Sequence, residues 1–348
     1  MKKRELIKLG LGRRDLVDLA IDGVRKAARD GVKKAPLRQR LQALVEQPER
    51  FFGDPHFGEL ARTFAVSERS EDRYVPRKAP ASYRQWGHDI DHKAVQQMQN
   101  ACRIPVAARG ALMPDAHLGY GLPIGGVLAT RAAVIPYAVG VDIACRMKLT
   151  VLDLPAGALD GQRDRLAKTL ERETRFGIGA EFRTPRQHDV LDEDWSVSPI
   201  TQRFKDKAWR QLGTSGSGNH FVEFGELEVF DDPSAPPEQP AKGPGRARAK
   251  EEAAAHIGIR LGPGRYLALL SHSGSRGTGA QVCGHYSKLA KSSHRDLPKE
   301  LQHLAWLDLD DELGQEYWRA MNLMGLYAAA NHALIHKHIA KTLGAKVL

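Results

Sequence analysis

Ala138-Val139-Gly140-Val141-Asp142-Ile143-Ala144-Cys145-Arg146 runs directly into the β-prone segment Met147–Leu152, and this stretch decides how the chain is read. A carboxylate and a thiol stand three residues apart beside glycine, so one tight turn can bring both to a common ion. The segment behind them is a short β-prone run.

Working outward, the same texture recurs upstream and downstream. Pro114-Asp115-Ala116-His117-Leu118-Gly119-Tyr120-Gly121-Leu122-Pro123-Ile124-Gly125-Gly126 precedes it. Gly213-Thr214-Ser215-Gly216-Ser217-Gly218-Asn219-His220-Phe221-Val222-Glu223 and Ser271-His272-Ser273-Gly274-Ser275-Arg276-Gly277-Thr278-Gly279 follow. Each sets a side chain able to bind metal among residues that let a ligand approach the backbone closely, and turns of this kind also present N–H groups to phosphate. Thiolate, imidazole and carboxylate together suit a divalent transition metal, either Mn²⁺ or Zn²⁺. Taken singly, each motif has a plain structural reading: a lone cysteine is usually a small buried residue, a histidine after a strand a bonded core group, and a Gly-Ser run a loop. None of them carries the Lys-Ser/Thr ending of a P-loop or the spacing of a dinucleotide fingerprint.

Around these segments lie short β-prone runs, Val127–Ala129, Ala133–Ile135 and Tyr266–Ser271, together with helical tracts. Residues 1–64 are expected to form a basic helical appendage, with Leu6, Leu9, Leu16, Leu19, Ile21 and Val24 on its apolar side. Its first fifty residues hold 14 Lys+Arg against 7 Asp+Glu, a net +7 of the chain's +10. That excess suits phosphate contacts, or equally a solvated cap. Residues 155–185 read as helical, and 312–345 as a long helix with Trp318, Met321, Leu326 and Leu334 as core candidates. Residues 65–348 then form the core domain, interrupted by a mobile Pro-, Ala- and charge-rich insertion at about 231–250. The class is α+β.

Composition excludes several alternatives. Hydrophobic residues at 42% and charged residues at 27% describe a globular chain rather than a disordered one. No apolar run approaches the ~20 residues of a membrane span, and the charged start lacks the apolar stretch of a secretory signal, so a cytoplasmic location is expected. Three cysteines, Cys102, Cys145 and Cys283, make no disulfide framework and fit a reducing compartment.

In this order the strings PDAHLGYGLPIGG, AVGVDIACRM, GTSGSGNHFVEF and SHSGSRGTG resemble the RtcB family of RNA ligases over roughly residues 104–340. The resemblance implies one large domain of packed sheets surrounded by helices. It implies GTP- and Mn²⁺-dependent joining of RNA 3′-phosphate or 2′,3′-cyclic phosphate ends to 5′-hydroxyls, as in tRNA splicing and RNA repair, with two metal ions. By position, Asp142, Cys145, His220 and His272 match the family's metal ligands, with Cys145 the shared thiolate. Asn219, His220 and Glu223 match its nucleotide-binding segment, and Asp115 and His117 a supporting motif. The family's further metal-binding histidine and its guanylylated histidine, in a His-Gly-Ala-Gly-Arg string, have no match within residues 1–348, so no nucleophile is assigned. This stretch is expected to bind a guanine nucleotide without being guanylylated. The other readings are a catalytically silent RNA-binding homologue and a metal-dependent phosphohydrolase.

Overall fold

A computed structural model describes residues 3–11, 13–68, 74–230 and 261–348; the insertion expected at about 231–250 lies outside them. The architecture is mixed α+β, as the sequence predicts, and the described chain folds as two compact units.

The first unit comprises residues 1–143, 194–205 and 278–324. It opens with helices α1 (Lys3–Lys8), α2 (Arg14–Arg29), α3 (Lys34–Glu46) and α4 (Gly58–Glu68). Leu16, Val17, Ala20 and Ala27 recur on one face of α2 and bury against Leu6, Leu41, Leu44, Phe57, Leu60 and Phe64. Leu9, Leu19, Ile21 and Val24 pack at the edge of the same cluster. Gly23 allows the closest approach, because a Cβ there would sit 2.6 Å from the His56 carbonyl and 2.7 Å from the Phe57 ring. Arg62 of α4 donates twice to Glu316, at 3.0 and 2.8 Å, and Tyr286 donates to the same carboxylate at 2.6 Å.

Next come β1 (Tyr83–Gln85), α5 (His92–Ala101), β2 (Ala107–His117), β3 (Ile124–Thr130), β4 (Ala133–Val134) and α6 (Pro136–Val139). β1 runs parallel to β2, and β2 pairs antiparallel with β3. The string PDAHLGYGLPIGG spans the end of β2, the β2–β3 connection and the start of β3. Gly125 takes φ +77 there, where a Cβ would lie 3.0 Å from the Ala116 Cα.

The second unit comprises residues 144–193, 206–277 and 325–348. Its elements are β5 (Arg146–Pro155), α7 (Ala158–Gly161), α8 (Arg163–Glu173), β6 (Phe221–Val229) and β7 (Gly264–Ser273). Three further elements, α9 (Pro199–Gln211), α10 (Arg276–Ser293) and α11 (Glu312–Leu343), each supply residues to both units, and β8 (Leu307–Asp308) pairs with β4 in the first. The sheet is antiparallel in the order β5–β7–β6. Leu267, Leu269, Ser271 and Ser273 alternate on the inner face of β7. The two leucines join Leu152, Ile335, Ile339 and Leu343 in the core.

Two expectations need correction. The helix expected over 155–185 stops at Glu173: Thr174 is already extended, and Gly177 (φ +101) and Gly179 (φ +71) take left-handed backbone that ends helical phase. On α11, Trp318 and Leu326 face outward at 42% and 52% exposure. The buried stripe runs one residue away, through Leu313, Tyr317, Met324 and Tyr327, and only Leu334 among the four candidates is fully buried. An apolar residue does not fix helix phase when both faces carry apolar side chains.

Candidate metal centre

The sheet register gathers the motifs. In β7, His272 lies opposite Met147 of β5 and Phe221 of β6. Cys145 is the residue just before β5 and His220 the residue just before β6. Because both outer strands run antiparallel to the central one, their first residues flank its last. Three ligand-type side chains, 127 residues apart at the extreme, therefore meet at one end of one sheet.

The geometry is that of a ligand cluster. Cys145 Sγ lies 2.9 Å from His272 Nε2 and 3.6 Å from His220 Nε2. Ligands bound at ~2.0–2.3 Å to one ion stand about 3–4 Å apart, so these spacings suit a shared metal. Asp142 precedes Cys145 on the turn leading into β5, and Asp142, Cys145 and His220 each bring one ligand atom within 4.8 Å of the others. Ala144, between the carboxylate and the thiol, takes φ +59. That left-handed conformation costs an L-residue roughly 1–2 kcal/mol and reverses the chain so that both side chains face one way.

Both imidazoles are held in a definite tautomer. His272 Nδ1 lies 3.0 Å from the Asn219 carbonyl, and His220 Nδ1 lies 3.1 Å from the Ser215 carbonyl. A carbonyl only accepts, so each Nδ1 donates its hydrogen there and each Nε2 is turned towards Cys145. Metal-binding histidines are oriented by this kind of outer contact. Gly216 makes room for it. A Cβ at that position would lie 1.9 Å from Arg276 Nη1 and 2.8 Å from His220 Nδ1. The donor set of one thiol, two imidazoles with Nε2 turned towards it and an adjacent carboxylate fits a divalent transition metal.

Behind this end of the sheet lies a polar network that the motifs do not announce. Thr150 Oγ1 lies 2.7 Å from His336 Nδ1, and His336 Nε2 lies 2.7 Å from Ser271 Oγ. Ser271 Oγ lies 2.6 Å from His332 Nδ1, and His332 Nε2 lies 3.0 Å from the Ser273 carbonyl. The terminal carbonyl sets the direction of every bond: Thr150 donates to His336, His336 to Ser271, Ser271 to His332, and His332 to Ser273. These directions require both rings to be neutral. Burial holds both below the ordinary imidazole range, His336 at about 3. With every ring nitrogen engaged in the core, neither is available as a nucleophile. The signal for this network was a set of polar residues, Asn331, His332 and His336, on the largely apolar buried face of the second half of a long helix.

Of the other residues singled out, Asn219 and Glu223 are exposed beside His220, the former at the loop end and the latter on β6. Asn219 holds His272 through its backbone carbonyl. Asp115 and His117 stand exposed on β2 of the first unit, two residues apart, with His117 Nδ1 bonded to the Asp115 carbonyl at 2.9 Å. Cys102 and Cys283 are buried thiols away from any ligand cluster among the described residues.

Residues 97–348 match the family described as tRNA-splicing ligase RtcB. The chain belongs to the RtcB family. An RNA-splicing ligase RtcB homolog 1 of Entamoeba histolytica is 28% identical over 280 residues, which cover 70% of this chain and 49% of that protein. A homolog 1 of Entamoeba dispar is 30% identical over 277 residues, covering 69% and 48%. A tRNA-splicing ligase RtcB of Archaeoglobus fulgidus is 27% identical over 290 residues, covering 73% and 56%. The chain thus spans about half the length of the curated RtcB relatives it matches. Among its described residues no helix is long and apolar enough to cross a membrane.

Proposed function

We propose that this chain forms the metal-binding part of a GTP- and Mn²⁺-dependent RNA ligase, which joins 3′-phosphate or 2′,3′-cyclic phosphate ends to 5′-hydroxyls. The observation that carries the reading is the Cys145 thiol faced by two imidazoles that turn Nε2 towards it while Nδ1 is held by a backbone carbonyl. Asp142, Cys145, His220 and His272 would hold the metal, with Cys145 shared between two ions. Bound there, divalent ions would neutralise developing phosphate charge and orient the reacting oxygens.

The protein's own groups have separate tasks in this reading. His220 and His272 are aimed by the Ser215 and Asn219 carbonyls. The side chains of Asn219 and Glu223 offer an amide and a carboxylate to the donors and acceptors of guanine. Asp115 and His117 support the same chemistry. The exposed lysines and arginines of α2 and α3 add contacts to RNA phosphates.

The test is direct binding. The chain is titrated with Mn²⁺ and followed by electron paramagnetic resonance, alone and with short RNAs ending in 3′-phosphate or 3′-hydroxyl. The expected result is Mn²⁺ binding that Cys145→Ala abolishes with little loss of stability, since Cys145 is at the surface. The phosphate-ended RNA should bind more tightly than the hydroxyl-ended one only when Mn²⁺ is present. Parent-like Mn²⁺ affinity in Cys145→Ala sinks the ligand assignment, and equal binding of both RNAs with metal present sinks the end chemistry.

A further inference from the structure

We propose that Asn331, which touches none of the metal-site side chains, is a positioning residue for His220 and acts through Ser273 and the Ser215 carbonyl. The inference rests on the metal-site reading above.

Asn331 sits in the middle of α11, fully buried. An asparagine is a poor helix residue, and a buried primary amide is costly unless its groups are paired. Here it makes three bonds. Its Oδ1 accepts the Gly213 N–H at 2.7 Å, and its Nδ2 donates to the Thr214 carbonyl at 3.0 Å and to Ser273 Oγ at 3.1 Å. The orientation of the amide is forced, because a backbone N–H needs the oxygen and a carbonyl needs the nitrogen.

The third bond reaches the site. With its oxygen accepting from Asn331, Ser273 sends its own hydrogen to the Ser215 carbonyl at 2.8 Å. That carbonyl is the one that receives the His220 Nδ1–H. Asn331 therefore grips the Gly213–Ser215 segment from both sides and fixes the direction of the group that decides the tautomer of His220. The loop needs this hold, since Gly213 (φ +86) and Gly216 (φ +107) bracket it with backbone that is otherwise freely variable. A core amide serving stability alone would have no reason to end on the acceptor of a site histidine.

Two measurements on the full chain test the idea. The first needs no metal: long-range ¹H–¹⁵N spectra of the imidazoles should report His220 as the Nδ1–H tautomer in the parent. In Asn331→Ala and in Ser273→Ala it should become a mixture. Ser273→Ala leaves the helix and the Thr214 bond intact, so it decides the matter should Asn331→Ala fold poorly. The second is a Co²⁺ titration followed by the thiolate-to-cobalt absorption. Asn331→Ala should weaken binding about 10–100-fold, as removal of an outer partner typically does. In a His220→Ala background the same change should cost nothing further, because the two act on one ligand. An unchanged tautomer in the variants, or equal losses with and without His220, overturns the proposal. Failure of the parent to bind Co²⁺ while the tautomer still responds would instead reject the metal-site reading and leave the positioning role intact.

Discussion

Replacing Gly216 with alanine places one carbon where two side chains already meet. The new Cβ would lie 1.9 Å from Arg276 Nη1, 2.5 Å from its Cζ and 2.8 Å from His220 Nδ1. Arg276 is the longer and more flexible group and yields first, but its Nε is bonded to Thr214 Oγ1 at 3.0 Å. Losing a hydrogen bond from a charged donor costs roughly 1.5–3 kcal/mol, towards the low end for a half-buried side chain. The backbone at φ +107 adds strain of about 1–3 kcal/mol for an L-residue. Together the variant should be less stable by about 3–4 kcal/mol. Gly218→Ala supplies the control. Its φ of +77 is also left-handed, yet nothing lies within 4 Å of the new Cβ, so strain acts without a clash. Urea unfolding of the metal-free proteins should place Gly216→Ala below Gly218→Ala by about 1–2 kcal/mol. Mn²⁺ titration should separate them further, because only Gly216→Ala pushes His220 off the Ser215 carbonyl, a weakening of order 10–100-fold. If both variants bind Mn²⁺ equally well, the glycine is not a cradle for the site histidine and the packing argument fails.

Three further outcomes follow from other parts of the molecule. Burial lowers the pKa of His332 and takes His285 and His336 to about 3. The unfolded chain therefore binds more protons between about pH 6.5 and 3, and stability complete above pH 6.5 should fall as pH drops through that window, by on the order of a few kcal/mol per strongly shifted group. His336→Gln should flatten the dependence of the urea midpoint on pH, and an unaltered slope would reject a neutral buried His336. Arg62→Ala leaves the Glu316 carboxylate buried and without its guanidinium, which should cost about 3–5 kcal/mol in thermal or urea unfolding; a cost under about 1 kcal/mol would mean that water replaces the partner. Replacing the exposed Arg25, Arg29, Lys33 and Arg38 with serine should reduce the slope of log RNA affinity against log salt by about 0.7–0.9 for each RNA phosphate that is no longer neutralised, whereas an unchanged slope identifies these helices as a structural cap.

The sequence by itself determined the local grammar of the site. Asp142 and Cys145 three apart beside glycine specify a turn with two candidate ligands, because that relation is set by chain connectivity. The strands behind them are legible for the same kind of reason: Met147–Leu152 and Tyr266–Ser271 are short β-prone runs, and β5 and β7 contain them. What a linear reading cannot supply is register. That Cys145 and His220 flank His272 depends on which strand takes the centre of the sheet and on how the outer two are aligned against it, and both are settled by burying Leu267 and Leu269 against α11. Helix phase has the same origin, since Trp318 and Leu326 look as apolar as Tyr317 and Tyr327 until neighbouring elements choose a face. The tautomers of His220 and His272 and the role of Asn331 lie furthest from the sequence. They depend on carbonyl directions and amide contacts that folding sets, across 53 residues for His272 and Asn219 and 58 for Asn331 and Ser273, and for the buried amide of Asn331 the dry interior makes such bonds obligatory.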